Sequence, residues 1–206
     1  YMVKNHSIMA KSGYGTEKSE ILKLLIESRE TKLSIRKIAL LRKINYKSAY
    51  AAVASLKHRN IIRLDRYGNT INCSFNNNFD SLVFLAEDER RKSLLKNKGF
   101  QVIYSRLNRL NFPIIALLFG SYAKKKQNKY SDIDLLIITN NTAEIEQEIK
   151  LLPLNLHLVI ITHQEFVQMA KSREFSVVSE VLKKNLILMG IEEYYRLLKN
   201  AGRAAD

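Results

Sequence analysis

Asp132 and Asp134 stand one residue apart, and ten residues separate them from the pair Gly120 and Ser121 in the stretch GSYAKKKQNKYSDIDLL. Side chains alternate along a strand, so the two carboxylates of an Asp-x-Asp strand share a face. Carboxylates so close repel unless a cation lies between them, and hard oxygen donors suit Mg²⁺ or Mn²⁺. Glycine permits close backbone approach, and a serine with the amides of a helix N-terminus can hold a phosphate. Lys124, Lys125, Lys126 and Lys129 lie between the two pairs, where they can meet phosphates of a nucleotide or of a polymeric substrate. Together these residue types describe metal-assisted phosphoryl transfer, in which the metal bridges triphosphate oxygens and orients an in-line attack. An isolated Asp-x-Asp would carry little weight, being more often an exposed turn.

The neighbouring segments supply the setting. PIIALLF, residues 113–119, is a continuous apolar run, as expected of a strand buried on both faces. It ends at Gly120, where the chain is expected to turn into a short helix. SDIDLLIIT is expected to form the adjacent strand. FQVIYSRLNRL, residues 100–110, reads as a helix leading into the first strand.

With four residue types at fixed spacing in a strand-turn-strand setting, the stretch resembles the nucleotidyltransferase superfamily that includes DNA polymerase beta. It is most similar to the minimal prokaryotic nucleotidyltransferases, over about residues 100–170. Their signature is Gly-Ser, ten residues, Asp-x-Asp, matched here by Gly120, Ser121, Asp132 and Asp134. The resemblance implies a small mixed-sheet domain with Mg²⁺ or Mn²⁺ on Asp132 and Asp134. It implies NTP phosphates on Gly120, Ser121, Lys124 and Lys125, with ATP the expected donor. The implied acceptor of the nucleoside monophosphate is a protein, such as a toxin ribonuclease encoded nearby, or an RNA end, and a homodimer is compatible with it.

One position departs from the pattern. The family carries a third carboxylate on the next strand, which assists the metal or accepts the proton of the attacking hydroxyl. The corresponding run here is LNLHLVIITHQEF, with His157 at that position and Asn155 on the same strand face. Loss of a general base typically costs on the order of 10² to 10⁴ in rate. Two readings stand side by side: His157 is a catalytic base or a ligand for a softer metal (Mn²⁺ or Zn²⁺), or it is a partly buried histidine without a catalytic role. Glu165 is expected in the following helix, a poor substitute. His6, His58 and His163 show no metal-ligand spacing with one another.

The N-terminal third reads as three helices and a hairpin. EKSEILKLLIESR places Ile21, Leu24, Leu25 and Ser28 on one face, with Thr16 a candidate N-cap. SIRKIALLRKI has Ser34 as cap and Ile35, Ile38, Ala39 and Leu41 or Arg42 on one face. NYKSAYAAVASLKHRN places Tyr50, Val53, Ala54 and Leu56 or Lys57 at helical spacing, leaving only NY as the turn before it. IIRLDRYGNTINCSF alternates like a strand, and YGNT supplies hairpin turn chemistry. This order resembles a winged helix-turn-helix, whose third helix enters the major groove of DNA while the hairpin touches the backbone. Residues 32–66 hold ten basic residues against the single acid Asp65, which is +9 of the chain's +14. Such an imbalance favours duplex DNA over protein docking, with Lys47, Ser48, Tyr50, Arg63 and Arg66 as candidate contacts.

The expected organisation is therefore α+β: a winged helix-turn-helix over 1–78, a connecting helix over 79–98, and a nucleotidyltransferase-like domain over 99–206. In the connecting helix Leu82, Leu85, Leu94 and Leu95 are expected inward, and EDERRK is expected as a solvated surface. NLILMGIEEYYRLLKN reads as a helical tail, with Tyr194 and Tyr195 in the core or an interface. EFSVVSEVLKK offers Phe175, Val178 and Val181 or Leu182 as a core stripe.

The 206 residues suffice for one large domain or two small ones, and a hydrophobic content of 46% suits a packed core. Cys73, the single cysteine, forms no internal disulfide and fits a reducing cytoplasm. No apolar stretch is long enough for a membrane span, so no membrane partner is expected. Two function classes follow. One is a nucleotidyltransferase coupled to DNA binding. The other is a DNA-binding regulator whose impaired transferase domain senses nucleotide or mediates dimerisation.

Overall fold

A computed structural model describes residues 13–128, 130–172 and 174–204. The first helix, α1, spans Gly13–Glu27, so Thr16 lies within its first turns rather than capping it. Ile21, Leu22, Leu25 and Ile26 are its buried stripe; Leu24 and Ser28 sit at the margin. A two-residue strand β1, Leu33–Ser34, leads directly into α2, Ile35–Arg42. The Ser34 hydroxyl accepts from the Lys37 amide, as expected of a cap worth about 1 kcal/mol.

The turn between α2 and α3 is Lys43-Ile44-Asn45, with Lys43 left-handed at φ 54. Tyr46, expected in the turn, instead opens α3, Tyr46–His58, which Asn45 caps through the Ser48 amide. The buried face of α3 is Ala49, Ala52, Val53 and Leu56. This corrects the expected face through Tyr50, Ala54 and Lys57, because the small Ala49 and Ala52 let α3 lie close against α1 and leave Tyr50 outside.

Strands β2, Ile62–Tyr67, and β3, Thr70–Phe75, form the expected hairpin. Tyr67 pairs with Thr70 around a two-residue turn in which Gly68 has φ 55, the positive φ such turns require. β1, absent from the sequence reading, pairs with β3 to give an antiparallel sheet of order β1-β3-β2.

Helix α4, Ser81–Leu94, is capped by Asp80 and packs on α1. Its buried face is Val83, Ala86, Glu87 and Arg90. Two expectations fail here. Leu85 is 53% exposed, and the charged stretch 87–92 is not all solvated, since Glu87 is only 1% exposed. Glu87 contacts Arg90 and accepts from the Tyr195 hydroxyl at 2.7 Å. Arg29 donates to the same hydroxyl at 3.1 Å, and Arg90 donates to the Asn185 carbonyl at 2.8 Å. A buried acid is thereby flanked by two buried cations, which is what charges need to be tolerated in a core.

The remaining elements form one mixed layer. Helix α5, Lys98–Leu107, precedes β4, Ile115–Leu118, and the four-residue helix α6, Gly120–Ala123. Then come β5, Ile133–Ile138; α7, Thr142–Lys150; β6, Leu156–Ile161; and α8, His163–Lys171. The chain ends with α9, Val177–Lys183; β7, Leu186–Met189; and α10, Ile191–Asn200. The sheet has order β6-β5-β4-β7, with β5 and β6 parallel and the other neighbours antiparallel. LILM, residues 186–189, is thus an edge strand of the sheet, not part of a helical tail: it pairs on one side with β4. Phe175 lies before α9 and is 85% exposed, whereas Val178 and Val181 are buried as expected.

Alternation sends the strand residues into two cores. Leu117, Leu136, Ile138 and Ile187 join a cluster that runs through Phe166, Tyr194 and Leu198 to Val83, Ile21 and Leu56. Ala116, Leu118, Leu135 and Ile137 face the other cluster, with Phe100, Ile103 and Ile145. The N-terminal helices and the mixed sheet therefore share one continuous core. Among the described residues no helix is long and apolar enough to cross a membrane.

Candidate active site

β4 ends beside the start of its antiparallel neighbour β5, and the Phe119 amide continues their ladder by donating to the Asp134 carbonyl at 3.1 Å. The chain then turns sharply at Gly120, with φ 61. A Cβ at this position would lie 1.9 Å from Asp134 Oδ2 and 2.7 Å from its Cγ. Only glycine fits, for both its φ and its closeness to the carboxylate. The next residue, Ser121, holds its Oγ buried with no hydrogen-bond partner among the described residues. The Ser121 hydroxyl and the Asp134 carboxylate are thus brought to one turn.

Asp132 lies just before β5 and is exposed, while the Asp134 side chain is 24% exposed. Ile133 between them is buried, and its amide donates to the Asn155 carbonyl at 2.9 Å. That bond sets the parallel register that places His157 opposite Asp134. His157 Nδ1 lies 3.0 Å from Asp134 Oδ1, and the Phe119 ring stands 6.5 Å from the imidazole, tilted. Among the described residues no group of three or more His, Cys, Asp or Glu side chains converges as a metal cage.

Glu165 does not approach this site. It completes a capping box with Thr162 at the start of α8, and the donated Thr162 amide holds its carboxyl below the usual carboxylate range. Lys124 pairs with Glu180 at 2.6 Å, and Lys125 with Glu27 at 3.2 Å. Lys129 lies outside the described residues, as does His6.

On the N-terminal part, Lys47 and Tyr50 are exposed on α3, and Ser48 is half-buried beside its Asn45 cap. Arg63 and Arg66 are exposed on β2, where Arg66 Nε donates to the Gly68 carbonyl at 3.1 Å. The buried set Arg29, Glu87, Arg90 and Asn185 was missed by sequence reasoning. Its one signal is the spacing 83, 86, 87, 90, a helical face that includes oppositely charged Glu87 and Arg90.

Residues 101–194, from within α5 into α10, match the family model described as "Polymerase beta, Nucleotidyltransferase". The match supports the nucleotidyltransferase superfamily for this part of the chain, and nucleotidyl transfer as its general chemistry. Comparison with curated proteins and with solved structures gives no significant match.

Proposed function

We propose that the protein transfers a nucleoside monophosphate from an NTP, with ATP the expected donor, to a protein or RNA acceptor. The observation that carries this reading is the contact between Gly120 and the Asp134 carboxylate, with the unpartnered Ser121 Oγ on the same turn. The donor set suits a hard divalent cation: Asp132 and Asp134 would hold Mg²⁺ or Mn²⁺. When bound, the metal supplies neutralisation of the triphosphate charge. Ser121 Oγ donates to a phosphate oxygen, with the amide that follows Gly120 beside it. His157 orients through Nδ1 on Asp134, which leaves Nε2 to accept the proton of an acceptor hydroxyl. Incubation with α-phosphate-labelled NTPs, Mg²⁺ or Mn²⁺ and candidate protein and RNA acceptors tests this. Label should move to an acceptor with wild type and not with Asp132→Asn/Asp134→Asn.

The N-terminal part is proposed to bind duplex DNA as a winged helix-turn-helix. The succession α1, β1, α2, α3 and the β2–β3 hairpin supports that reading, as do the outward Lys47, Tyr50, Arg63 and Arg66. In the full chain, Lys47→Glu/Arg63→Glu should weaken duplex binding across sequences and flatten its salt dependence. Salt-insensitive binding, or none, would turn the reading to protein docking. On this reading, with DNA and NTP as ligands, the protein would work in the cytoplasm.

A second reading is a DNA-binding regulator whose transferase domain only senses nucleotide or dimerises. The observation favouring it is that His157 Nδ1 engages Asp134 Oδ1, an oxygen that a metal would otherwise take.

A further inference from the structure

We infer that the protein holds a second anion site, between its N-terminal helices and the loop after α6, which takes a small phosphorylated anion. A cavity of about 350 Å³ opens there, within the size range of small-ligand pockets. Four cations line it: Lys23 from α1, Arg42 at the end of α2, Arg90 from α4, and Lys125 from the loop. The Arg90 side chain is 6% exposed, and its Nε has no hydrogen-bond partner among the described residues. The buried Nε of Arg42 has none either. Buried donors are rarely left without an acceptor, so two on one cavity wall point to an acceptor inside it.

The carboxylates on the same wall do not fill that role. Glu89 pairs with Lys23 at 2.8 Å, and Glu20 is shared between Lys23 and Arg42 Nη1, the latter at 3.5 Å. Glu27 pairs with Lys125 and stays 3.9 Å from Arg90 Nε, beyond hydrogen-bonding reach. A phosphate group offers several acceptor oxygens at once, which suits the two unpartnered Nε donors of Arg42 and Arg90. The hollow has room for a free phosphate or a nucleotide, not for a folded macromolecule.

The placement suggests what such an anion does. Lys125 comes five residues after Gly120, so the ligand touches the chain that forms the candidate active site. Arg42 belongs to α2, adjoining the basic α3. An anion held by both ties the N-terminal part to the site loop.

Calorimetry on the full chain with inorganic phosphate, pyrophosphate and ADP, at constant ionic strength in chloride, tests the site without requiring turnover. We expect saturable binding that weakens at least tenfold in Arg42→Gln and is unchanged in Asp132→Asn/Asp134→Asn. Arg42-dependent binding of ADP but not phosphate identifies a nucleotide; the reverse identifies free phosphate. Arg90→Met is the harsher variant, because Arg90 also holds Glu87 and the Asn185 carbonyl; Arg42 is free of that network. Equal affinity in Arg42→Gln, no saturable binding, or loss only in the aspartate double variant would overturn the inference. The last outcome would assign the binding to the transferase site and leave the transfer reading intact.

Discussion

Asp134 and His157 face each other across the parallel β5–β6 pair, and their side chains meet at 3.0 Å, Nδ1 to Oδ1. The histidine that stands where a third carboxylate was expected is therefore turned toward the site. If His157 serves as the base through Nε2, His157→Ala should lower transfer by about 10² to 10⁴. His157→Asp should fall less, because a carboxylate can still take the proton. The measurement is steady-state transfer by the three proteins with Mg²⁺ and with Mn²⁺. A rise in His157→Asp with His157→Ala equal to wild type would instead mark the native domain as impaired.

Gly120→Ala should be damaging in two separable ways. Its left-handed φ costs about 1–2 kcal/mol with a Cβ, measurable as a lower urea midpoint. The added carbon also displaces the Asp134 carboxylate, so metal-dependent ATP binding should be lost even in the fraction that remains folded. Retained binding with full affinity would remove the Gly120–Asp134 contact from the site.

Glu87→Ala should be the most destabilising single change of the connecting helix. It leaves Arg29 and Arg90 buried without their acid, and breaking a buried ion pair from one side costs about 3–5 kcal/mol. Asp88→Ala, on the same helix and paired with Arg91 and the exposed Lys92, should cost less, because its partners keep access to water. Chemical denaturation of both variants makes the comparison, and equal losses would deny Glu87 its part in the core.

Burial pushes the Cys73 thiol up to about 12. Burial also raises Tyr195, helped by neighbouring Glu87, and raises Tyr194 against the opposing pull of Arg29. Each group keeps its proton in the fold at a pH where the unfolded chain would release it. Their stability contribution is full below the ordinary thiol and phenol values, about 8.5 and 10, and is lost as pH rises through the folded values. The urea midpoint should therefore fall above about pH 9, and native Cys73 should resist alkylation at pH 8. Rapid alkylation of the folded protein would contradict this.

Local chemistry was legible in the chain because it depends on near neighbours. The Gly-Ser turn, the Asp-x-Asp start of β5 and the Ser34 cap are decided within a few residues, as is the YGNT hairpin. Period alone was less reliable. On α3 two interleaved stripes compete, and contact with α1 selected Ala49, Ala52 and Val53 over Tyr50 and Ala54. NLILM has the apolar character of either a strand or a helix, and its pairing with β4 decided for the strand.

What the sequence determined by itself was the sharp Gly120 turn and the strand that begins beside Asp134, because turn chemistry and an apolar run leave those residues little freedom; Asp132 lies just outside that strand and is exposed. Only the tertiary structure decided that His157 touches Asp134, since that contact depends on the register of two strands separated by α7. It alone also buried Glu87 among Arg29, Arg90 and Tyr195, residues far apart in the chain. A charged helix segment reads as a solvated surface until oppositely charged and hydroxyl partners from elsewhere close over it and make its burial tolerable.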